Sequence, residues 1–153
     1  MSTFKVQNPV VHLPSISLHQ LTREVLETLL VKNWEWHKLK LTDNLYFVPP
    51  WEDWDKIFQY EMKSLPKYVP EKFDCEQFGG WLRIMVAKDF GVNVCGDAEG
   101  YVDFQDGKGK QRHGWTVFTE GEGLYQVESQ MATGYHIMDI DNPFYIPDEL
   151  VMG

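Results

Sequence analysis

Cysteine is nearly missing from this chain. There are 2 Cys among 153 residues, Cys75 and Cys95. They do not form a Cys-x-x-Cys pair, which argues against a zinc ribbon and a thioredoxin-type motif. They could form one disulfide, but nothing in the sequence indicates an oxidising compartment. Long apolar runs are missing too, so no membrane span and no membrane partner is expected. The N-terminus has no basic segment leading into an apolar stretch, which leaves a cytoplasmic protein as the expectation. Positive charge is in short supply: Lys and Arg number 14 against 23 Asp and Glu, for a net charge of −9. Phosphate backbones would repel such a surface, so nucleic acid is a poor partner. The one short basic cluster, Lys108, Lys110 and Arg112, reads as a solvated loop. Internal repeats and low-complexity tracts are absent.

Hydrophobic residues make up 43% and charged residues 24% of the chain, the balance of a folded globular protein. The length suits one domain over 1–153. Aromatics reach 14%, with six Trp, which predicts a dense core and an aromatic-lined groove.

Residues 1–16 read as irregular. Leu18, Leu21, Val25, Leu26, Leu29 and Leu30 then recur at helical spacing behind Ser17, so the pattern predicts a helix over 18–32. An extended piece follows from Leu39 to Val48. Pro50, with Glu52 and Asp53 behind it, opens a second helix over 51–65, which Pro66 ends. Lys67 to Lys72 is a connector. Asp74 is the N-cap of a third helix that runs to Phe90 and stops at Gly91. From Val92 onward the period changes. Strands are predicted at 92–95, 99–104, 113–119, 124–130 and 135–140, with 142–147 as a loop or edge segment. Helices followed by antiparallel strands give an α+β class.

The chemistry concentrates at Cys75. A thiol at a helix N-terminus faces the positive end of the helix dipole, a placement that favours the thiolate. His113 and Glu128 follow on two predicted strands joined by Glu120-Gly121-Glu122-Gly123. If Thr119 lies opposite Leu124, paired positions sum to 243. His113, Trp115, Glu128 and Gln130 then share one sheet face, and Glu128 is a diagonal neighbour of His113. A register shifted by one residue would place Glu128 on the other face. Cys75 would be the nucleophile, His113 its proton partner and Glu128 the orienting acid. Gln130 is a second group able to orient the ring. The backbone N–H of Cys75 would meet an oxyanion, with Trp51 and Gln77 as candidates for a further donor.

Other features have two readings. Gly79-Gly80 either lets a substrate approach or serves tight helix–sheet packing. Cys95 reads as core. His12, His19, His37 and His136 lack a matching context, and His136 alone has a strand position that could face His113. Asp97, Glu99, Asp103 and Asp106 do not have EF-hand spacing and read as a solvated acidic loop. Asp139, Asp141 and Asn142 suit either a cation or a turn. A metal site built on Cys75, His113 and an acid ranks last, because zinc sites use more ligands in tighter spacings.

Taken together, Asp74-Cys75-Glu76-x-Phe78, His113-Gly114-Trp115-x-Val117-Phe118 and Tyr125-x-Val127-Glu128-x-Gln130 resemble the papain-like cysteine peptidase superfamily, in its transglutaminase-like branch. The pattern is most similar to the protease domain of a fairy-ring mushroom agglutinin and to small phage proteins. The resemblance covers roughly residues 45–150. It implies a papain-like fold, a peptide or amide substrate and a thioester intermediate on Cys75. It sets Gln130 two residues beyond the acid. No cofactor is required; calcium is implied by the resemblance alone, with no ligands assigned. Gly114 departs from the Ala of many relatives. The alternative is a catalytically silent papain-like module with a phage structural or host-interaction role.

Overall fold

The computed structural model describes residues 12–67, 69–70, 74–131 and 134–153, the side chain of Glu76 excepted. Most of the expected irregular start, and half of the 67–72 connector, lies outside these. The elements are β1 (His19–Thr22), α1 (Arg23–Asn33), β2 (Lys38–Leu41), β3 (Leu45–Val48), α2 (Trp51–Glu61), α3 (Cys75–Phe90), β4 (Cys95–Asp103), β5 (Lys110–Phe118), β6 (Tyr125–Met131), β7 (Gly134–Asp139) and β8 (Tyr145–Met152). A 3-10 turn, Met62–Ser64, extends α2. The class is α+β. β1 pairs with β3, and a mostly antiparallel sheet has the order β2-β8-β4-β5-β6-β7.

The N-terminal helix is shorter than its apolar spacing predicts. Residues 19–22 pair antiparallel with 45–48, and Thr22 caps the helix that starts at Arg23. Strand pairing takes the first turn because β3 offers it a partner. The Leu39–Val48 piece is two strands. β2 joins the main sheet by parallel pairing with β8, a long-range contact that no local pattern announces. The expected strand 99–104 is the second half of β4, which begins at Cys95; residues 92–94 are not in a strand.

The largest correction is the C-terminal tail. Residues 145–152 are not an edge; β8 lies between β2 and β4. Pro147 has no N–H to give a ladder, and it sits where the β4–β8 register shifts, at Glu99/Gly100. A Cβ on Gly100 would lie 2.8 Å from both Pro147 Cα and Trp115 Cη2, so only glycine leaves room for that indole.

The hairpin forms over its expected loop and closes in the even one of the two registers considered. Thr116, Val117 and Phe118 pair with Val127, Gln126 and Tyr125. Each pair sums to 243, so the even register holds. One hydrophobic cluster runs from Leu26 and Leu30 through Trp54, Phe58, Leu82 and Val86 to Trp115, Phe118, Leu150 and Met152. Among the described residues, no helix is long and apolar enough to cross a membrane.

α3 rests on the sheet through Gly79. A Cβ there would stand 2.8 Å from the Trp115 carbonyl and collide with the Asp97 carboxylate, so this glycine serves helix–sheet packing. Backbone cannot yield as a flexible side chain does. Gly79→Ala should therefore cost roughly 1–3 kcal/mol despite its better helix propensity, measured by urea denaturation.

Glu61, the last residue of α2, is fully buried, and neither carboxyl oxygen has a hydrogen-bond partner among the described residues. Burial first, then the nearby Asp89 charge, pushes its carboxyl up to about 7, against a smaller opposing pull from Lys88. An acid raised on folding costs nothing below its unfolded value of about 4.5. Stability falls as pH rises from there to about 7 and stays lower above, by on the order of 3 kcal/mol. Glu61→Gln should flatten that slope and make the protein more stable than wild type at pH 8, with little change at pH 4.5. Denaturation midpoints at the two pH values check it.

Candidate active site

Cys75 is the first residue of α3, half-buried and with a free thiol. The helix starts there because Gln77 Oε1 accepts from Asp74 N at 3.0 Å, half of a capping box. That bond engages the side-chain oxygen of Gln77 and not its NH2 group. Trp51 is displaced from the role of oxyanion donor. It packs against Tyr125 and Phe118, ring centroids 4.6 and 6.2 Å away, five residues up β5 from His113. Five residues of strand span roughly 16 Å.

His113 and Glu128 do meet. His113 Nε2 lies 2.6 Å from Glu128 Oε2, with both side chains almost wholly buried. Register alone predicts this diagonal. The β5–β6 ladder runs from Phe118 to Thr116, and His113 lies beyond it. There Gln130 Nε2 donates to Gly114 O at 3.0 Å, and Gln130 N donates to Glu128 Oε1 at 2.9 Å. Gln130 thus braces the carboxylate and the strand gap rather than the imidazole. The bond to Nε2 leaves Nδ1 as the ring nitrogen open to a thiol. Among the described residues, no hydrogen bond joins Cys75 Sγ to His113.

A cavity of about 680 Å³ opens beside the pair, with Leu65, Pro66, Phe78, Phe104 and Met131 among its walls. Phe78 stands one helical turn from Cys75, which brings the start of α3 to the same hollow as His113 and Glu128. Phe104 meets His113 edge-on at 5.3 Å, and Trp115 stacks along it at 6.0 Å.

Two functional residues escape the sequence reading. Gln126 is completely buried. Its Oε1 accepts from Trp115 Nε1 at 2.8 Å, and its Nε2 faces the carbonyls of Asp139, Ile140 and Tyr145 at 3.1–3.3 Å. Tyr145 donates its hydroxyl to Glu128 Oε2 at 3.3 Å and sets its ring edge against Trp115. Burial, then the Glu128 charge, holds that hydroxyl far above the ordinary tyrosine range, so it stays a donor. A buried glutamine with four partners is visible only in three dimensions.

The remaining expectations resolve locally. Cys95 is core, its thiol pushed up by burial. His136 lies opposite Glu128 on β7 but is exposed. Arg112 is not in a loop: it sits in β5, paired with Glu99 and Asp148 and stacked over Tyr101. Asp97 is likewise in a strand, facing α3. Asp103 and Asp106 accept from the backbone N–H groups of Gln105 and Lys108, and Asn142 from Phe144 N, which is turn chemistry. Among the described residues, no three His, Cys, Asp or Glu are grouped to hold a metal ion.

No protein-family model matches the chain. No curated protein matches it. Among solved structures, it is similar to one described as "PSL1a-E64 complex", at 21% identity and a TM-score of 0.63. The likeness covers 86% of this chain and 51% of that one, so the chain spans about half the length of its neighbour. At this identity the likeness concerns the fold.

Gln126 offers a direct test of how the site is held. Gln126→Leu keeps the volume but strands the Trp115 N–H and removes the donor to three carbonyls. Each buried group left unpaired costs about 1–3 kcal/mol, so a loss of roughly 3 kcal/mol or more is expected from urea denaturation, with Trp fluorescence reporting the released indole.

Proposed function

We propose that this protein is a thiol hydrolase of papain-like fold, a cysteine peptidase or amidase acting through Cys75, His113 and Glu128. The observation that carries the reading is the 2.6 Å contact between His113 Nε2 and Glu128 Oε2 beside a cavity that the first turn of α3 also lines. A buried imidazole–carboxylate pair needs a reason to be there, since desolvating it costs stability that apolar packing would not. Service to the half-buried thiol that opens α3 supplies one. The α+β likeness to the solved neighbour, itself described as an E64 complex, is in keeping with it.

In this reading the Cys75 thiolate attacks the carbonyl carbon of a peptide or amide. The oxyanion that forms is met by the backbone N–H of Cys75, left free at the helix start. Imidazolium at His113 gives its proton to the leaving amine as the C–N bond breaks, which leaves a thioester on Cys75. His113 then takes a proton from water, whose oxygen attacks the thioester. Collapse releases the carboxylic acid and restores the thiol. An amine in place of water would make the same step a transacylation. Glu128 fixes the ring by holding Nε2, which directs Nδ1 to the nucleophile.

Alkylation kinetics test the reading. Iodoacetamide and E64, each applied near pH 7 and followed by mass spectrometry, should label Cys75 and spare buried Cys95. His113→Ala should slow Cys75 labelling at least tenfold. Equal rates in wild type and variant would overturn it and favour a catalytically silent module.

A further inference from the structure

We infer that Tyr145 is a positioning residue for the His113–Glu128 pair, a donor reaching across the curled sheet to fix the acid. This rests on the reading of that pair as working machinery. β8 and β6 are not neighbours in the sheet; β4 and β5 lie between them. A contact from Tyr145 to Glu128 therefore exists only because the sheet curls until the first and fourth strands of the β8-to-β6 span face one another through the interior. Tyr145 reaches that point already held at two places. Its carbonyl faces Gln126 Nε2 at 3.3 Å, and its ring edge meets Trp115 at 5.5 Å. Neither hold involves the hydroxyl, so the donor is set in place before Glu128 is considered.

Glu128 needs that donor. Its carboxylate is 4% exposed and holds three partners from three directions. Oε1 takes Gln130 N at 2.9 Å; Oε2 takes His113 Nε2 at 2.6 Å and the Tyr145 hydroxyl at 3.3 Å. Two donors on one oxygen fix its lone pairs and with them the plane of the carboxylate. Tyr145 also withdraws part of the charge that Glu128 would otherwise direct wholly at His113. A phenol is suited to this because it gives a proton yet stays neutral in the buried site. The other charged or titratable groups facing the pair are few: His136 lies opposite Glu128 on β7, and Lys67 lines the cavity. Cys75 opens the adjoining helix.

Tyr145→Phe removes the hydroxyl while keeping the ring against Trp115 and the carbonyl toward Gln126. With one donor fewer on Glu128, its charge falls more fully on the imidazole, and the His113 titration midpoint read by NMR should rise by about 0.5–1 pH unit. Site-specific 3-fluorotyrosine at position 145 is a stronger donor with the same ring, and it should move the midpoint the other way. In Glu128→Gln, which has no carboxylate charge to share, the additional Tyr145→Phe change should leave the midpoint within about 0.2 of a pH unit. A midpoint unmoved by both substitutions at position 145, or moved equally with and without Glu128, would overturn the inference. Because the ring titration needs no turnover, its failure is distinct from failure of the hydrolase reading, which the His113 dependence of Cys75 alkylation decides.

Discussion

The fold around the site depends on one buried side-chain amide. Gln126 stands on β6 and ties to it the Trp115 indole from β5, two carbonyls at the end of β7 and one at the start of β8. A buried primary amide is costly unless its groups are satisfied. Here the oxygen takes one donor and the NH2 group sits among three carbonyls. The result is a polar clamp inside an apolar shell, with direction that van der Waals packing lacks. It holds the sheet curled, and the curl brings Tyr145 to Glu128. Trp115, fixed by the same amide, lies along His113.

The site then rests on a second buried polar group, the Glu128 carboxylate. Donors from β5, β6 and β8 converge on it. The acid is placed by its surroundings, and the imidazole is placed by the acid. The same economy appears at the helix. Gly79 brings α3 down against Asp97 and the Trp115 carbonyl, which sets the height of the helix over the sheet. Cys75 lies one turn before Phe78, which lines the cavity. Its free first-turn N–H groups follow from helix geometry and need no special residue.

What could be read along the chain was local. Asp74 announces the start of α3, and Gly91 its end. The Glu120–Gly123 loop announces a hairpin, but which of two registers it closes in is left open, and the even one places His113 and Glu128 within reach. Elements whose partners are distant in the chain read less well. The apolar spacing from Leu18 looks helical, yet β3 recruits residues 19–22 as a strand. Pro147 and its acidic neighbours make β8 look like a tail, although a bulge at Gly100 lets the proline sit in the interior of the sheet. Trp51 was a chemically able donor with no geometric warrant, and it has another use in aromatic packing.

The sequence by itself determined the α+β class and the helix that Cys75 opens, and it made the meeting of His113 with Glu128 conditional on an even hairpin register. These depend on periods of two and 3.6 residues and on a short loop, all of which are local quantities. Only the tertiary structure decided that β8 is a central strand, that Gln126 clamps the curled sheet and that Tyr145 joins Glu128 as a donor. Those facts depend on which distant segments share an interior. One-dimensional spacing does not encode the curl that brings β8 across to β6, because the curl is a property of the whole sheet.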